Sequence, residues 1–143
     1  NTAIGAVTRL QDMGVEPFLL SSSLVAVMAQ RLVRLLCTDC RELCDATPTE
    51  RERLGVEGHE QVQIYHAKGC AKCNMTGYRG RTGIYELIEV DEELRTAIHE
   101  GEGEQAMLAV ARKQYPGIQA DGRRRILAGE TTLEEVLRVT SVT

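Results

Sequence analysis

Four of the five cysteines fall in two Cys-x-x-Cys pairs, Cys37-Thr38-Asp39-Cys40 and Cys70-Ala71-Lys72-Cys73. Two residues between thiolates let one tight turn aim both sulfurs at a single ion. Two such turns supply the four ligands of a closed, tetrahedral Zn²⁺ site. Gly69 and Gly77 bracket the second pair and offer the positive φ angles that a tight knuckle needs. Zn²⁺ with four thiolates carries a formal charge of about −2. Arg41, Lys68, Lys72, Arg79 and Arg81 lie close enough in sequence to offset it. Four thiolates leave no coordination position for water, so the expected role is structural. Two disulfides would suit an oxidising compartment and leave one cysteine over. A redox Cys-x-x-Cys pair opens a helix in a βαβ unit, and no such unit is visible. Cys44 reads as a packed thiol outside the ligand set, and His66 as a strand residue.

Other chemistry is sparse. There is no G-x-x-x-x-G-K-[ST], H-E-x-x-H, G-x-S-x-G or Rossmann glycine fingerprint. His59, His66 and His99 are far apart in sequence, with no evident nucleophile beside them. A net charge of −4, with both signs mixed along the chain, gives no electrostatic reason to bind nucleic acid or an anionic membrane. With no Trp, one Phe and four Tyr, the core must be aliphatic, and stacking surface for single strands is scarce. A zinc-ribbon nucleic-acid binder and a chaperone-type cysteine module are the alternatives. The second would need more cysteine repeats than these two.

The elements that must carry the cysteines follow from periodicity and caps. The spacing predicts a helix over 2–13 with Ala3, Ala6, Val7 and Leu10 inward and Gly14 ending it. Pro17 opens a short apolar link. Ser22 or Ser23 then caps a second helix carrying Leu24, Val27, Met28, Leu32 and Leu35 to Cys37, with Arg31 and Arg34 solvated. Ser21-Ser22-Ser23, Gln30, Arg31 and Arg34 interrupt this apolar stretch, which excludes a membrane span. Thr47-Pro48-Thr49-Glu50 has the form of a capping box and opens a short helix to about Leu54, released by Gly55 and Gly58. Val62–Tyr65 and Thr82–Val90 read as strands flanking the second knuckle, which suggests a small β ribbon stapled by the metal. Helices are expected over 92–99, capped by Asp91, over 105–114, over 121–128, and after a second capping box at Thr132 and Glu135. Arg123-Arg124-Arg125 reads as a solvated face beside Asp121 and Glu130. The chain opens Asn-Thr-Ala directly into a helical pattern, the expectation for a piece of a longer protein.

Three segments carry a resemblance. They are Ser22-Ser23-Leu24 through Gln30-Arg31-Leu32-Val33-Arg34-Leu35-Leu36-Cys37, Gly77-Tyr78-Arg79-Gly80-Arg81-Thr82-Gly83-Ile84-Tyr85-Glu86, and Thr132-Leu133-Glu134-Glu135-Val136. Together with the four cysteines they closely resemble the C-terminal part of the bacterial secretion ATPases, over essentially the whole chain. The short spacing between the cysteine pairs favours the type II secretion branch over the type IV pilus-assembly ATPases.

The resemblance implies an α+β, mostly helical chain in three parts. Residues 1–36 would be the last helices of a RecA-like ATPase domain, 37–90 a tetracysteine zinc subdomain, and 91–143 a C-terminal helical subdomain. It implies Zn²⁺ on Cys37, Cys40, Cys70 and Cys73, with ATP and Mg²⁺ bound only by the full-length parent, whose phosphate-binding loop would lie upstream. It further implies a cytoplasmic hexamer that drives assembly of a pilus-like fibre. That hexamer would sit at the inner membrane of a Gram-negative bacterium through a bitopic membrane protein and a polytopic platform protein, with no nucleic-acid partner. Arg81, flanked with Arg79 around Gly80, would either balance charge near the metal or reach the nucleotide region or a neighbouring subunit. This chain alone is expected to be inactive towards ATP.

Overall fold

The computed structural model describes residues 2–56 and 61–141, and the expected turn residue Gly58 and His59 lie outside them. The chain forms α1 (Ala3–Asp12), α2 (Pro17–Ser23), β1 (Ala26–Leu36), β2 (Glu42–Asp45), α3 (Pro48–Leu54), β3 (Gln63–His66), β4 (Tyr78–Glu89), α4 (Glu92–His99), α5 (Glu104–Arg112), α6 (Ile118–Leu127) and α7 (Leu133–Thr140). Among the described residues the class is α+β, with two two-stranded sheets, β1 with β4 and β2 with β3. The chain divides into two compact units, Asn1–Gln30 with Tyr85–Ile118, and Arg31–Ile84 with Gln119–Thr143. No helix among the described residues is long and apolar enough to cross a membrane.

In the first unit, Thr2 caps α1 by accepting the Gly5 N–H at 3.0 Å. The inward face holds Ala3, Ile4 and Val7, while Ala6 is exposed. These residues join Leu20, Val27, Ile88, Leu94, Ile98 and Met107 in one aliphatic core. Helix α4 begins at Asp91 as expected, its carboxylate accepting the Leu94 N–H at 2.9 Å, and packs against α2 and α5. Glu86 is 3% exposed on the inward face of β4, between Ile84 and Ile88. It is satisfied by the Ala3 N–H at 3.0 Å, an orphan donor of the first turn of α1, and by the Arg112 guanidinium.

The stretch from Leu24 to Leu36 corrects one expectation, because it is not a helix. Pro17 starts α2 as its first residue, and the helix stops at Ser23, where Ser21 and Ser22 donate back to the Phe18 carbonyl. From Ala26 the chain is extended. Val27 and Val33 are buried and Ala29, Arg31 and Leu35 half-buried, while Met28, Gln30, Leu32 and Arg34 face out. That is a period of two, and the β-branched Val25, Val27 and Val33 favour the pleated surface. Val90 N–H bonds to Val25 C=O at 2.9 Å near one end of the β1–β4 pairing, and Cys37 N–H to Gly77 C=O at 3.0 Å near the other.

The second unit corrects the ribbon. The strands flanking the second knuckle do not pair with each other: β3 lies antiparallel to β2, Glu42 opposite His66 and Asp45 opposite Gln63. Nothing in Glu42-Leu43-Cys44-Asp45 alternates in hydropathy strongly enough to announce that partner. The capping box of α3 forms as expected, with Thr47 Oγ accepting from Glu50 N at 3.2 Å and Glu50 Oε1 from Thr47 N at 2.9 Å. Helices α6 and α7 meet where Gly122 leaves no room. A Cβ there would sit 2.4 Å from Val136 Cγ1. Gly122→Ala is therefore expected to cost about 1–3 kcal/mol of overpacking, outweighing the roughly 1 kcal/mol that alanine gains in helix propensity. A urea midpoint at or above that of the parent sequence would refute the close packing.

Candidate metal centre

Each knuckle places two thiols by turn geometry. The first pair follows β1, where Arg41 N–H closes on the Cys37 carbonyl at 3.1 Å. The second sits on a single 3₁₀ turn, Ala71–Cys73, with Cys73 N–H on the Cys70 carbonyl at 3.3 Å. Both expected glycines have positive φ, +111° at Gly69 and +85° at Gly77. At Gly77 a side chain would also be excluded by space, since a Cβ would lie 2.7 Å from that of Ala67.

The four sulfurs come together as the spacing predicts. All four lie within 4.8 Å of one another, and the Cys37–Cys70, Cys40–Cys73 and Cys70–Cys73 separations are each 3.8 Å. These cysteines are free thiols, so no disulfide links them. In a tetrahedron the edge is about 1.63 times the centre-to-vertex distance, so Zn–S bonds of about 2.3 Å require edges of about 3.8 Å. The donor set therefore fits a tetrathiolate metal ion. Cys37 and Cys73 are buried, Cys40 and Cys70 half-buried.

Backbone amides point at the sulfurs. Gly69 N–H donates to Cys40 Sγ at 3.3 Å, and Cys70 and Gly77 N–H both donate to Cys73 Sγ at 3.2 Å. Burial raises the Cys73 thiol pKa, but these two amides and the Cys70 and Cys40 thiols outweigh it and bring it down to about 6. At Cys40, burial and the neighbouring thiols dominate over the Gly69 amide and push it up to about 11. The cluster thus holds an acidic and a basic thiol side by side, the pattern of one site losing its protons in steps.

The cationic side chains near the site have other occupations. Lys68 pairs with Glu42 at 3.1 Å and Lys72 with Asp39 at 3.4 Å. Arg41 stacks over the Tyr65 ring, 4.1 Å from its centroid, and donates to the Gly129 carbonyl at 2.6 Å. Arg79 helps line a cleft of about 240 Å³ with Arg41, Asp39 and Glu130. Arg81 is exposed on β4. Cys44, on β2, is not one of the four clustered sulfurs.

Sequence reasoning missed the structure that carries the first knuckle. Arg34 is 46% exposed, in keeping with the expected solvation, but it also forks onto Glu135, Nε and Nη2 lying 3.0 and 2.8 Å from Oε1, while its backbone N–H lies 2.7 Å from Oε2. Arg138 adds bonds of 2.9 and 3.0 Å to the same carboxylate, which is 1% exposed. Only half of the expected capping box at Thr132 therefore forms. Thr132 Oγ accepts the Glu135 N–H at 3.1 Å, and the Glu135 side chain is spent on the two arginines. Burial raises the Glu135 pKa, but these donors overcome it and hold the carboxyl at about 2. The Arg34 guanidinium also lies 4.1 Å above the Tyr78 ring, whose hydroxyl meets Thr132 at 2.8 Å. Thr131 and Glu130 complete the suture by hydrogen bonding Arg34 C=O and Leu36 N–H. The signal was present in Glu135 itself, a carboxylate on the apolar stripe of α7 beside Val136.

A double knuckle of four clustered thiols, able to hold a metal ion, whose leading strand is sutured to a C-terminal helix is what this fold and site define. Residues 1–138 match the sequence profile of the family described as Type II/IV secretion system protein, and the chain belongs to that family. It is 56% identical over 140 residues to the Type II secretion system protein E of Aeromonas hydrophila, and 54% identical over 140 residues to that of Pseudomonas aeruginosa. The Type II secretion system ATPase E of Vibrio cholerae is also 54% identical over 140 residues. Each alignment covers 98% of this chain but only 28% of the relative, so the chain spans less than a third of these proteins.

Proposed function

We propose that this chain is the C-terminal, Zn²⁺-binding part of a hexameric ATPase that powers type II secretion, with Cys37, Cys40, Cys70 and Cys73 as the zinc ligands. The sulfur edges of 3.8 Å carry the zinc reading, and the likeness to the Vibrio cholerae Type II secretion system ATPase E supports the ATPase reading. Zinc here is structural: it ties β1 to the loop before β4, and its four thiolates leave no site for a reacting water. Residues 1–36 close a RecA-like domain, 37–90 form the zinc subdomain, and 91–143 the helical tail. Met28 and Leu87, each more than half exposed, belong to a face covered in the parent by its upstream RecA-like part. The parent works in the cytoplasm against the inner membrane, held by a bitopic membrane protein and a polytopic platform protein.

Phosphoryl transfer needs a phosphate cradle, a lysine, a held Mg²⁺ and a positioned water, and the motifs that supply them do not occur in this sequence. A paired Mg²⁺-ATP assay tests the division of labour. This chain should stay at background while the full-length parent turns over, and turnover by this chain matching the parent per subunit would overturn the reading. Arg81, exposed on β4, reaches the nucleotide region or a neighbouring subunit in the hexamer. Arg81→Ala in the parent should lower ATP turnover by roughly 10³-fold if it acts as a charge-stabilising arginine, with zinc content and melting temperature unchanged. Loss of zinc alongside turnover would place its role at the knuckle.

A further inference from the structure

A second cluster of metal-ligating side chains lies outside the tetracysteine site. Ligand atoms of Glu50, His66 and Glu134 all fall within 4.8 Å of one another. Two of the three are fixed before any ion arrives. Glu50 stands on the first turn of α3, where the capping box holds its Oε1 on the Thr47 N–H and leaves Oε2 facing His66 Nε2 at 2.9 Å. His66 closes β3, anchored opposite Glu42 in the β2–β3 ladder. The Glu50 and His66 side chains are 15% and 31% exposed, so neither is a freely solvated surface group. The Glu50 hydrogen bond does not satisfy the whole imidazole, because His66 Nδ1 is buried with no hydrogen-bond partner. Glu134 comes from α7, where its neighbour Glu135 is committed inward to Arg34 and Arg138, leaving Glu134 exposed.

We propose that Glu50, His66 and Glu134 form a second divalent-cation site, taking a zinc-class ion on one imidazole and two carboxylates. One nitrogen and two oxygen donors suit Zn²⁺ or Co²⁺ rather than the softer metals that require thiolate, and three protein ligands leave positions for water or a further ligand. Bond lengths of about 2.0–2.2 Å need donor separations of about 3.3–3.6 Å, so the Glu50–His66 pair at 2.9 Å would open by about half an ångström and the exposed Glu134 side chain would rotate to meet the ion. The ion would clip α7 to α3 and β3, all within the second unit.

The test is isothermal titration of Zn²⁺ into untagged protein whose tetracysteine site already holds one equivalent by elemental analysis. One further equivalent is expected, with micromolar affinity. Glu134→Gln, an exposed and conservative change, should weaken that second event by about 10–100-fold, and His66→Ala by at least as much. Both variants should keep the first equivalent and an unchanged circular dichroism spectrum. Absence of a second equivalent, or a second equivalent bound equally well by Glu134→Gln, would overturn the site. Retention of the first equivalent separates that failure from failure of the tetracysteine assignment.

Discussion

Removing the metal from the tetracysteine cluster is expected to unfold the second unit while the first survives. Structural zinc contributes on the order of 10 kcal/mol in small domains, comparable with the roughly 5–15 kcal/mol total stability of a domain. Without the ion the unit would rest on its buried side chains, among them Val33, Leu54, Ile64, Ile126 and Val136, and on the Arg34–Glu135 pair. The β2–β3 ladder is four residues a side, and an isolated pair of strands of that length is marginal in water. The first unit contains none of the four clustered cysteines and has its own aliphatic core around Ile4, Ile88, Leu94, Ile98 and Met107. Hydrogen exchange before and after chelation should therefore show lost protection at residues 43–45 and 63–66 and retained protection in α4 and α5. Cys70→Ser should behave like chelation, and Cys44→Ser like the parent sequence. Full protection of β3 in protein verified to be metal-free would show that packing, not the ion, holds the unit.

The second large effect is expected at Arg34 and Glu135. Arg34→Ala removes two charge-assisted bonds from a carboxylate that is 1% exposed, leaving it with Arg138 and one backbone amide. The expected cost is about 2–4 kcal/mol, the range for truncating one partner of a buried, hydrogen-bonded charge. Acid should mimic the loss. Because the folded carboxyl titrates at about 2, below the ordinary 4.5, its contribution is fully present above pH 4.5 and disappears as the pH falls towards 2. Denaturation midpoints across that window should fall more steeply for the parent sequence than for Glu135→Gln. Parallel profiles would mean that the ion pair adds nothing to stability.

How far the sequence could be read depended on whether the signal was local. The knuckles, the Thr47–Glu50 capping box and the Asp91 cap each depend on residues within a few positions, and each forms as its spacing predicts. Strand β1 was ambiguous because Leu24, Val27, Met28, Leu32 and Leu35 satisfy a period of 3.6, while Val27, Ala29, Arg31, Val33 and Leu35 satisfy a period of two. Arg31 on the second series hid the alternation, since a long cation at a half-buried position looks like a break in the pattern. The partner of β3 and the role of Arg34 depend on residues far along the chain, at 42–45 and at 135. No window of ten residues contains either fact.

The distance between Arg34 and Glu135 also orders events during synthesis. Cys37 and Cys70 are 33 residues apart, Arg34 and Glu135 are 101 apart. Closing the longer loop costs about 1 kcal/mol more entropy. Glu135 also leaves the ribosome 62 residues after Cys73, roughly 3–12 s later at ordinary elongation rates. The cysteine knuckles can therefore come together first. Throughout that interval the backbone amides of Arg34 and Leu36, which finish on Glu135 and Glu130, stand open on a strand rich in leucine and valine. A nascent chain stalled before residue 130 exposes an open strand edge of the adhesive kind, and the stretch from Glu130 to Glu135 is what later covers it.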